Sequence, residues 1–398
     1  MSIARRSRVA VVIGTRPEAI KMAPVIYELN REATELECVV ISTAQHRHML
    51  DQVLDVFDIR VDVDLDLMSP NQSLNGLTSK IFAAIDSALA QVSPDLLLVQ
   101  GDTTTAFAVA VAAFHRNIPV GHVEAGLRSR DLENPFPEEA NRRLVSVVAG
   151  MHFAPTPLAV DNLLEEGVPR KAIVLTGNTV VDAIEMLLDL PAMGDGLPLD
   201  LPLNGDRVLL VTSHRRESWG ADLESICHAL LELTRNFPDV SVVYPVHMNP
   251  KVRNTVESLL GGRERIYLTA PVDYLTFARL MRRSYLVLTD SGGVQEEAPA
   301  FRKPVLVLRS VTERPEASLM GLSKIVGTSS MKIVREASRL LADPAAYEAM
   351  RVGENPYGDG HAAGRIVEAI SRRFAGLSPL LERSQEFQSP LSTELSAA

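Results

Sequence analysis

Four short runs constrain this chain more than any other feature. Residues 8–14 (RVAVVIG), 95–100 (DLLLVQ), 207–212 (RVLLVT) and 285–289 (YLVLT) are near-continuous apolar segments rich in β-branched residues. Segments of that length and make-up are strands buried on both faces, the kind found in parallel sheets covered by helices. Further strands are expected at 36–42, 61–67, 119–123, 240–244, 265–268 and 304–308, with helices at 45–57, 73–91 and 294–301 and one ending near Phe114. Repeated strand–helix alternation gives a right-handed, mostly parallel sheet. At 398 residues the chain is long for one such domain and suited to two. The expected fold is therefore α/β, with two Rossmann-like domains facing each other across a cleft. The polar, Pro/Gly/Asp-rich stretch 189–206 reads as the hinge. The domains are expected at 1–177 and 178–359, with a final helix at about 360–374 and a disordered polar tail at 376–398.

In such sheets ligands bind beyond the carboxyl ends of the strands. Residues 290–298 (DSGGVQEEA) follow the 285–289 strand and open a helix. The glycines let backbone approach a ligand, and the first helical N–H groups attract an anion. Glu296 and Glu297 lie in that turn and would repel a phosphate, so at least one is expected to reach past it, for instance to sugar hydroxyls. On the first domain, Arg16, Asp102 and Glu124 each follow a strand end and so share one rim. Lys21 sits one turn into the helix after Arg16, and a Pro-rich loop delivers Glu138 at a helix start. A lone carboxylate there is usually a cap or a solvated group. Three on one rim with an arginine and a lysine point to a ligand. His214 follows the 207–212 strand, beside Arg215 and Arg216.

The formal net charge is −10, which argues against nucleic acid or an anionic membrane as the main partner. Cys38 and Cys227 lie far apart in apolar context and read as reduced residues of a cytoplasmic protein. No run approaches the ~18 apolar residues of a membrane span. There is no Gly-x-Gly-x-x-Gly after a strand, no Walker A lysine loop and no Gly-x-Ser-x-Gly elbow. His46 and His48, two apart on a helix, point to different faces, so no metal is expected.

The motifs resemble, in order, those of the bacterial non-hydrolysing UDP-N-acetylglucosamine 2-epimerases. They are GTRPE at 14–18, QGDT at 100–103, HVEAGLR at 122–128, PEEANR at 137–142, HRRE at 214–217, SGG at 291–293 with QEE at 295–297, and RPEA at 314–317. The resemblance covers nearly all of residues 8–374. It implies the two-domain GT-B architecture, with the last helix crossing back onto the N-terminal domain. It implies interconversion of UDP-GlcNAc and UDP-ManNAc for envelope or capsule polysaccharide precursors, through elimination of UDP to 2-acetamidoglucal and re-addition. No cofactor and a homodimer are implied.

By the same resemblance Asp102, Glu124 and Glu138 are the acid/base candidates and His214 a catalytic histidine near the leaving group. Arg16, Lys21 and Arg314 address the nucleotide sugar. Ser291, Gly292 and Gly293 cradle the diphosphate, Glu297 takes the ribose hydroxyls, and Val272 and Phe277 flank uracil. A second, activating UDP-GlcNAc would meet Gln45, Glu138, Arg215 and His247; His48 and Asn71 depart from the family at two more of its positions. A GT-B glycosyltransferase using a UDP-sugar would share the Ser-Gly-Gly/Glu site without needing the carboxylate trio. A hydrolysing epimerase would release ManNAc and UDP, and a regulator would bind without turnover.

Overall fold

The computed structural model describes residues 6–31, 35–43, 47–68, 72–194, 196, 199, 201–203, 206–215 and 219–391. The chain divides into two units, Met1–Leu187 with Tyr357–Ala398, and Leu188–Pro356. Unit 1 carries strands β1 (Ser7–Ile13), β2 (Leu36–Ser42), β3 (Val63–Asp64), β4 (Leu96–Gln100), β5 (Val120–Val123), β6 (Met151–Ala154) and β7 (Ile173–Leu175). Among the described residues they form one sheet in the order β3-β2-β1-β4-β5-β6-β7. Every pairing is parallel. Unit 2 carries β8 (Arg207–Thr212), β9 (Val240–Pro245), β10 (Ile266–Thr269), β11 (Leu286–Thr289), β12 (Val305–Val307) and β13 (Ser323–Ile325). Their order is β10-β9-β8-β11-β12-β13, again all parallel.

The four near-continuous apolar runs form the central strands β1, β4, β8 and β11. Strand order reverses between β1 and β4 in one sheet and between β8 and β11 in the other. At such a reversal the two connections leave toward opposite faces and open a crevice at the strand ends. Helices close both faces. Leu74–Val92, for example, buries Leu77, Ile81, Ile85, Ala88, Leu89 and Val92 at three- and four-residue spacing against the unit 1 core. Among the described residues no helix is long and apolar enough to cross a membrane.

The structure differs from the sequence expectations in several places. The 61–67 strand shrinks to Val63–Asp64, because it is the outermost strand and its alternating Asp residues face water. The helix Thr179–Leu188 belongs almost wholly to unit 1 rather than opening unit 2: six apolar or polar residues of its first turns, Thr179 to Ile184, are buried there. The crossover helix is Ala362–Phe374, and the chain returns to unit 1 at Tyr357. The segment beyond Gly376 is packed as far as it is described. Leu381, Phe387 and Leu391 are buried. Glu386 accepts two bonds from Arg170 at 2.9 and 2.7 Å, and the Phe387 amide donates to the Leu175 carbonyl at 2.9 Å. The segment thereby covers the β7 edge of the sheet, which composition alone does not reveal.

Candidate active site

In unit 1 the site grows from the exits of β1, β4 and β5. At the β1 exit a side chain on Gly14 would place its Cβ 2.4 Å from Thr43 Oγ1 and 2.7 Å from Thr105 Oγ1, so only glycine fits. Thr15 then caps the helix Arg16–Leu29. The Glu18 carboxylate, 1% exposed, accepts from the amides of Gly14 (3.0 Å) and Thr15 (2.7 Å), the Thr15 hydroxyl (2.8 Å) and the Thr103 hydroxyl (2.7 Å). It ties the loop bearing Arg16 to the loop bearing Asp102. Burial raises its pKa against the pull of these bonds.

Glu124 follows β5 in the left-handed backbone region (φ 64), a conformation that costs a non-glycine residue free energy and is kept where it places a side chain. Its carboxylate pairs with the Lys21 ammonium, both side chains being buried, and accepts from Asn178 Nδ2 at 3.3 Å. Asp102 follows β4. Its carboxylate pairs with the Arg142 guanidinium, which also faces buried Glu139 at 3.5 Å. Its carbonyl accepts from Asn141 Nδ2 at 3.0 Å. The preceding Gly101 carbonyl lies 2.8 Å from His122 Nε2. Burial lowers the His122 pKa to about 3, so a neutral imidazole donates there. Glu138 is the half-buried first residue of the helix Glu138–Val148, one turn ahead of Asn141 and Arg142. Arg16, Lys21, Asp102 and Glu124 thus share one rim, as the sequence implies. Each of the two carboxylates is partnered by a buried cation. Removing one partner of such a pair is costly, so each cation fixes the place of its carboxylate on the rim.

In unit 2 the exits of β8 and β11 lie side by side, Thr212 paired with Thr289. The helix Gly292–Ala300 begins at the first glycine of the Ser-Gly-Gly turn, two residues earlier than expected. A Cβ on Gly292 would lie 2.5 Å from Arg314 Nη1, so the glycine makes room for that guanidinium over the helix start. A cation there opposes the helix dipole. Two carboxylates compensate: Arg314 pairs with Glu296, which is 1% exposed, and with Glu313 at 2.5 Å. Because the helix starts early, Glu296 and Glu297 fall in its second turn rather than its first; Glu296 is committed inward, and Glu297 is the half-buried one. Burial pushes the Glu313 carboxyl up, but Arg314, Arg309 and Arg215 outweigh it and hold it at about 2. Val272 and Phe277 are half-buried, Phe277 in the first turn of the helix Tyr274–Arg283, which Asp273 caps. The His214 ring stacks on that of His247 at 5.7 Å.

Of the proposed second-site residues, Arg215 and His247 flank His214 in unit 2 and Glu138 belongs to unit 1; Gln45, Asn71 and the His48 side chain fall outside the described residues. Glu18, Arg142, Asn178, Asp290 and Glu313 do structural duty that sequence reasoning did not assign. Only Glu18 carried a local signal, the Thr-x-x-Glu spacing of a capping box.

Two doubly wound parallel-sheet units, with glycine turns and carboxylates at their strand exits, place the chain in the GT-B class of α/β folds. The family model for UDP-N-acetylglucosamine 2-epimerase matches residues 28–371. The chain is 51% identical over 374 residues to a probable UDP-N-acetylglucosamine 2-epimerase of Ralstonia nicotianae, covering 92% of this chain and 100% of that protein. It is 49% identical over 376 residues to the UDP-N-acetylglucosamine 2-epimerase of Escherichia coli strain K12, covering 93% and 100%. Among solved structures it is similar to the UDP-GlcNAc 2-epimerase of Neisseria meningitidis bound to UDP-GlcNAc, at TM-score 0.87 and 47% identity over 91% of this chain and 99% of that one. The chain belongs to the UDP-N-acetylglucosamine 2-epimerase family, an isomerase family.

Proposed function

We propose that the protein is a non-hydrolysing epimerase that interconverts UDP-GlcNAc and UDP-ManNAc, in the cytoplasm, for polysaccharide precursors. The observation that supports this best is the pair of carboxylates, Asp102 and Glu124, each beside a buried cation on one rim of unit 1. Loss of a C2 proton needs such a base, and its return on the other face needs a second group. One carboxylate of the set Asp102, Glu124 and Glu138 takes the C2 proton while the C1–O bond breaks. The electron pair stays on the β-phosphate oxygen, giving 2-acetamidoglucal and UDP. A second member returns a proton to the opposite face of C2, and the same oxygen re-adds to C1.

Arg16, Lys21 and Arg314 address the nucleotide sugar, and His214 serves the departing diphosphate. Ser291, Gly292 and Gly293 hold the phosphates, Glu297 the ribose, and Val272 and Phe277 the uracil. The second UDP-GlcNAc position at Glu138, Arg215 and His247 belongs to the same reading. So does a homodimer, for which exposed Phe114, Leu144 and Val147 of unit 1 supply apolar surface.

Proton NMR with UDP-GlcNAc alone in D₂O tests the reaction. The expected result is UDP-ManNAc carrying deuterium at C2. Free ManNAc with UDP would replace this reading by hydrolysis, and a demand for an acceptor would replace it by glycosyl transfer.

A further inference from the structure

We propose that Asp290 is a positioning residue for His214, holding its ring with Nδ1–H toward the carboxylate and leaving Nε2 to exchange a proton with the leaving group. That last role rests on the reading of His214 above; the ring orientation does not.

The geometry comes from the sheet. Because Thr212 pairs with Thr289, the next residues of β8 and β11 are neighbours, and Asp290 faces the turn Ser213–His214–Arg215. The Asp290 carboxylate is fully buried. Its Oδ2 accepts from the Ser213 hydroxyl (3.0 Å), the His214 amide (2.8 Å) and the Arg215 amide (3.0 Å). Its Oδ1 has no hydrogen-bond partner among the described residues and lies 3.4 Å from His214 Nδ1. A buried carboxylate oxygen without a donor is costly, and a small ring rotation brings Nδ1–H into bonding range. The opposite tautomer would aim a nitrogen lone pair at that oxygen. The His247 ring stacks on it at an interplanar angle of 15°, which limits where the ring can go, and Trp219 Nε1 donates to the His214 backbone carbonyl at 3.3 Å, which holds the turn that carries it. With Nδ1 committed, Nε2 is the nitrogen that carries or releases the working proton.

A purely structural Asp290 would need only its Oδ2 bonds. Asparagine separates the two roles. Its carbonyl oxygen can keep all three donors to Oδ2, while its amide would donate to Nδ1 and force the proton onto Nε2, as when the aspartate of a serine-protease triad is replaced.

The experiment uses the full chain with Asp290→Asn, His214→Asn and the double variant. Asp290→Asn is expected to lower kcat on UDP-GlcNAc by about 10²–10³-fold, with KM and UDP affinity within about threefold. In the His214→Asn background the same change should alter kcat by less than about threefold, because both act through one ring. Undiminished kcat in Asp290→Asn, or a full further loss in the double variant, would overturn the proposal. Nitrogen-15 spectra of the histidines, with His214 assigned by its absence in His214→Asn, decide the orientation separately. The Nδ1–H tautomer in the wild type and the Nε2–H tautomer in Asp290→Asn support it. An unchanged tautomer sinks it. If the wild type does not epimerise, the reaction assignment fails, and the spectra still settle the Asp290–His214 pairing.

Discussion

Asp102 and Glu124 follow neighbouring strands, yet they are held by different means. Asp102 hangs on a turn braced from three sides: His122 through the Gly101 carbonyl, Asn141 through its own carbonyl, and Arg142 at the carboxylate. Glu124 is set by a strained backbone and gripped by Lys21 and Asn178. Neither carboxylate belongs to the unit that carries the Ser-Gly-Gly turn, Glu297 and Phe277. Asp102→Asn is therefore expected to abolish turnover while leaving UDP affinity within about tenfold, since the role proposed for this side chain is at the sugar and the replacement is nearly isosteric. Titration calorimetry with UDP beside the turnover assay checks this, and equal loss of both would reassign Asp102 to the nucleotide. These residue types were visible in the sequence because strand ends announce a rim. Their partners were not, because Arg142 and Asn178 reach the carboxylates from distant helices and turns, and nothing in local spacing encodes such an approach.

The long central strands and amphipathic helices were legible because period and burial coincide in them. Short or outlying elements were not: Met151–Ala154 and Ser323–Ile325 have too few residues to show a period. The segment beyond Gly376 misled for another reason. Its polar composition hides three apolar residues that dock singly, at Leu381, Phe387 and Leu391. The Phe387 ring lies under the Arg365 guanidinium and against Gly177, where an added Cβ would sit 3.6 Å from it. Phe387→Ala should cost about 3 kcal/mol in urea unfolding of unit 1; no change would mean the segment is a passive tail. Helix Ala362–Phe374 is anchored by Asp182, whose Oδ1 accepts from the Ala363 amide at 2.8 Å. Burial raises the Asp182 pKa from 3.8 to about 6, against the pull of the helix-start amides. Between these values the folded state holds more protons than the unfolded one, so stability falls as pH rises through this window and is level above about 6. The span corresponds to about 3 kcal/mol. Asp182→Asn keeps an acceptor for Ala363 and loses the titration. Its stability relative to wild type should therefore climb from pH 4 to 6 and then plateau, and parallel curves would refute the assignment.

At the scale of the whole molecule, the chain places the Ser-Gly-Gly turn proposed to hold phosphate and its carboxylate rim in separate units with separate cores. Each unit also holds one cysteine: Cys38 on β2 of unit 1 and Cys227 in the helix Ala221–Asn236 of unit 2. Burial pushes both thiols up to about 12, so neither is a reactive thiolate at neutral pH. Cys227 is fully buried and its labelling must wait for unit 2 to open, whereas half-buried Cys38 needs only partial opening of unit 1. A ligand that binds only the closed form lowers the population of the open form by a factor of one plus the ratio of free ligand to Kd, about 100-fold at a hundred times its Kd. UDP should therefore slow labelling of Cys227 on that scale and Cys38 far less, because most groups assigned to the nucleotide belong to unit 2. UDP-GlcNAc should slow both, because its sugar is assigned to the carboxylates of unit 1. Mass spectrometry after timed exposure to a thiol reagent distinguishes the two sites. Equal protection of both cysteines by UDP alone would show either that the nucleotide is held by both units or that they open as one, and the division of labour between them would have to be redrawn.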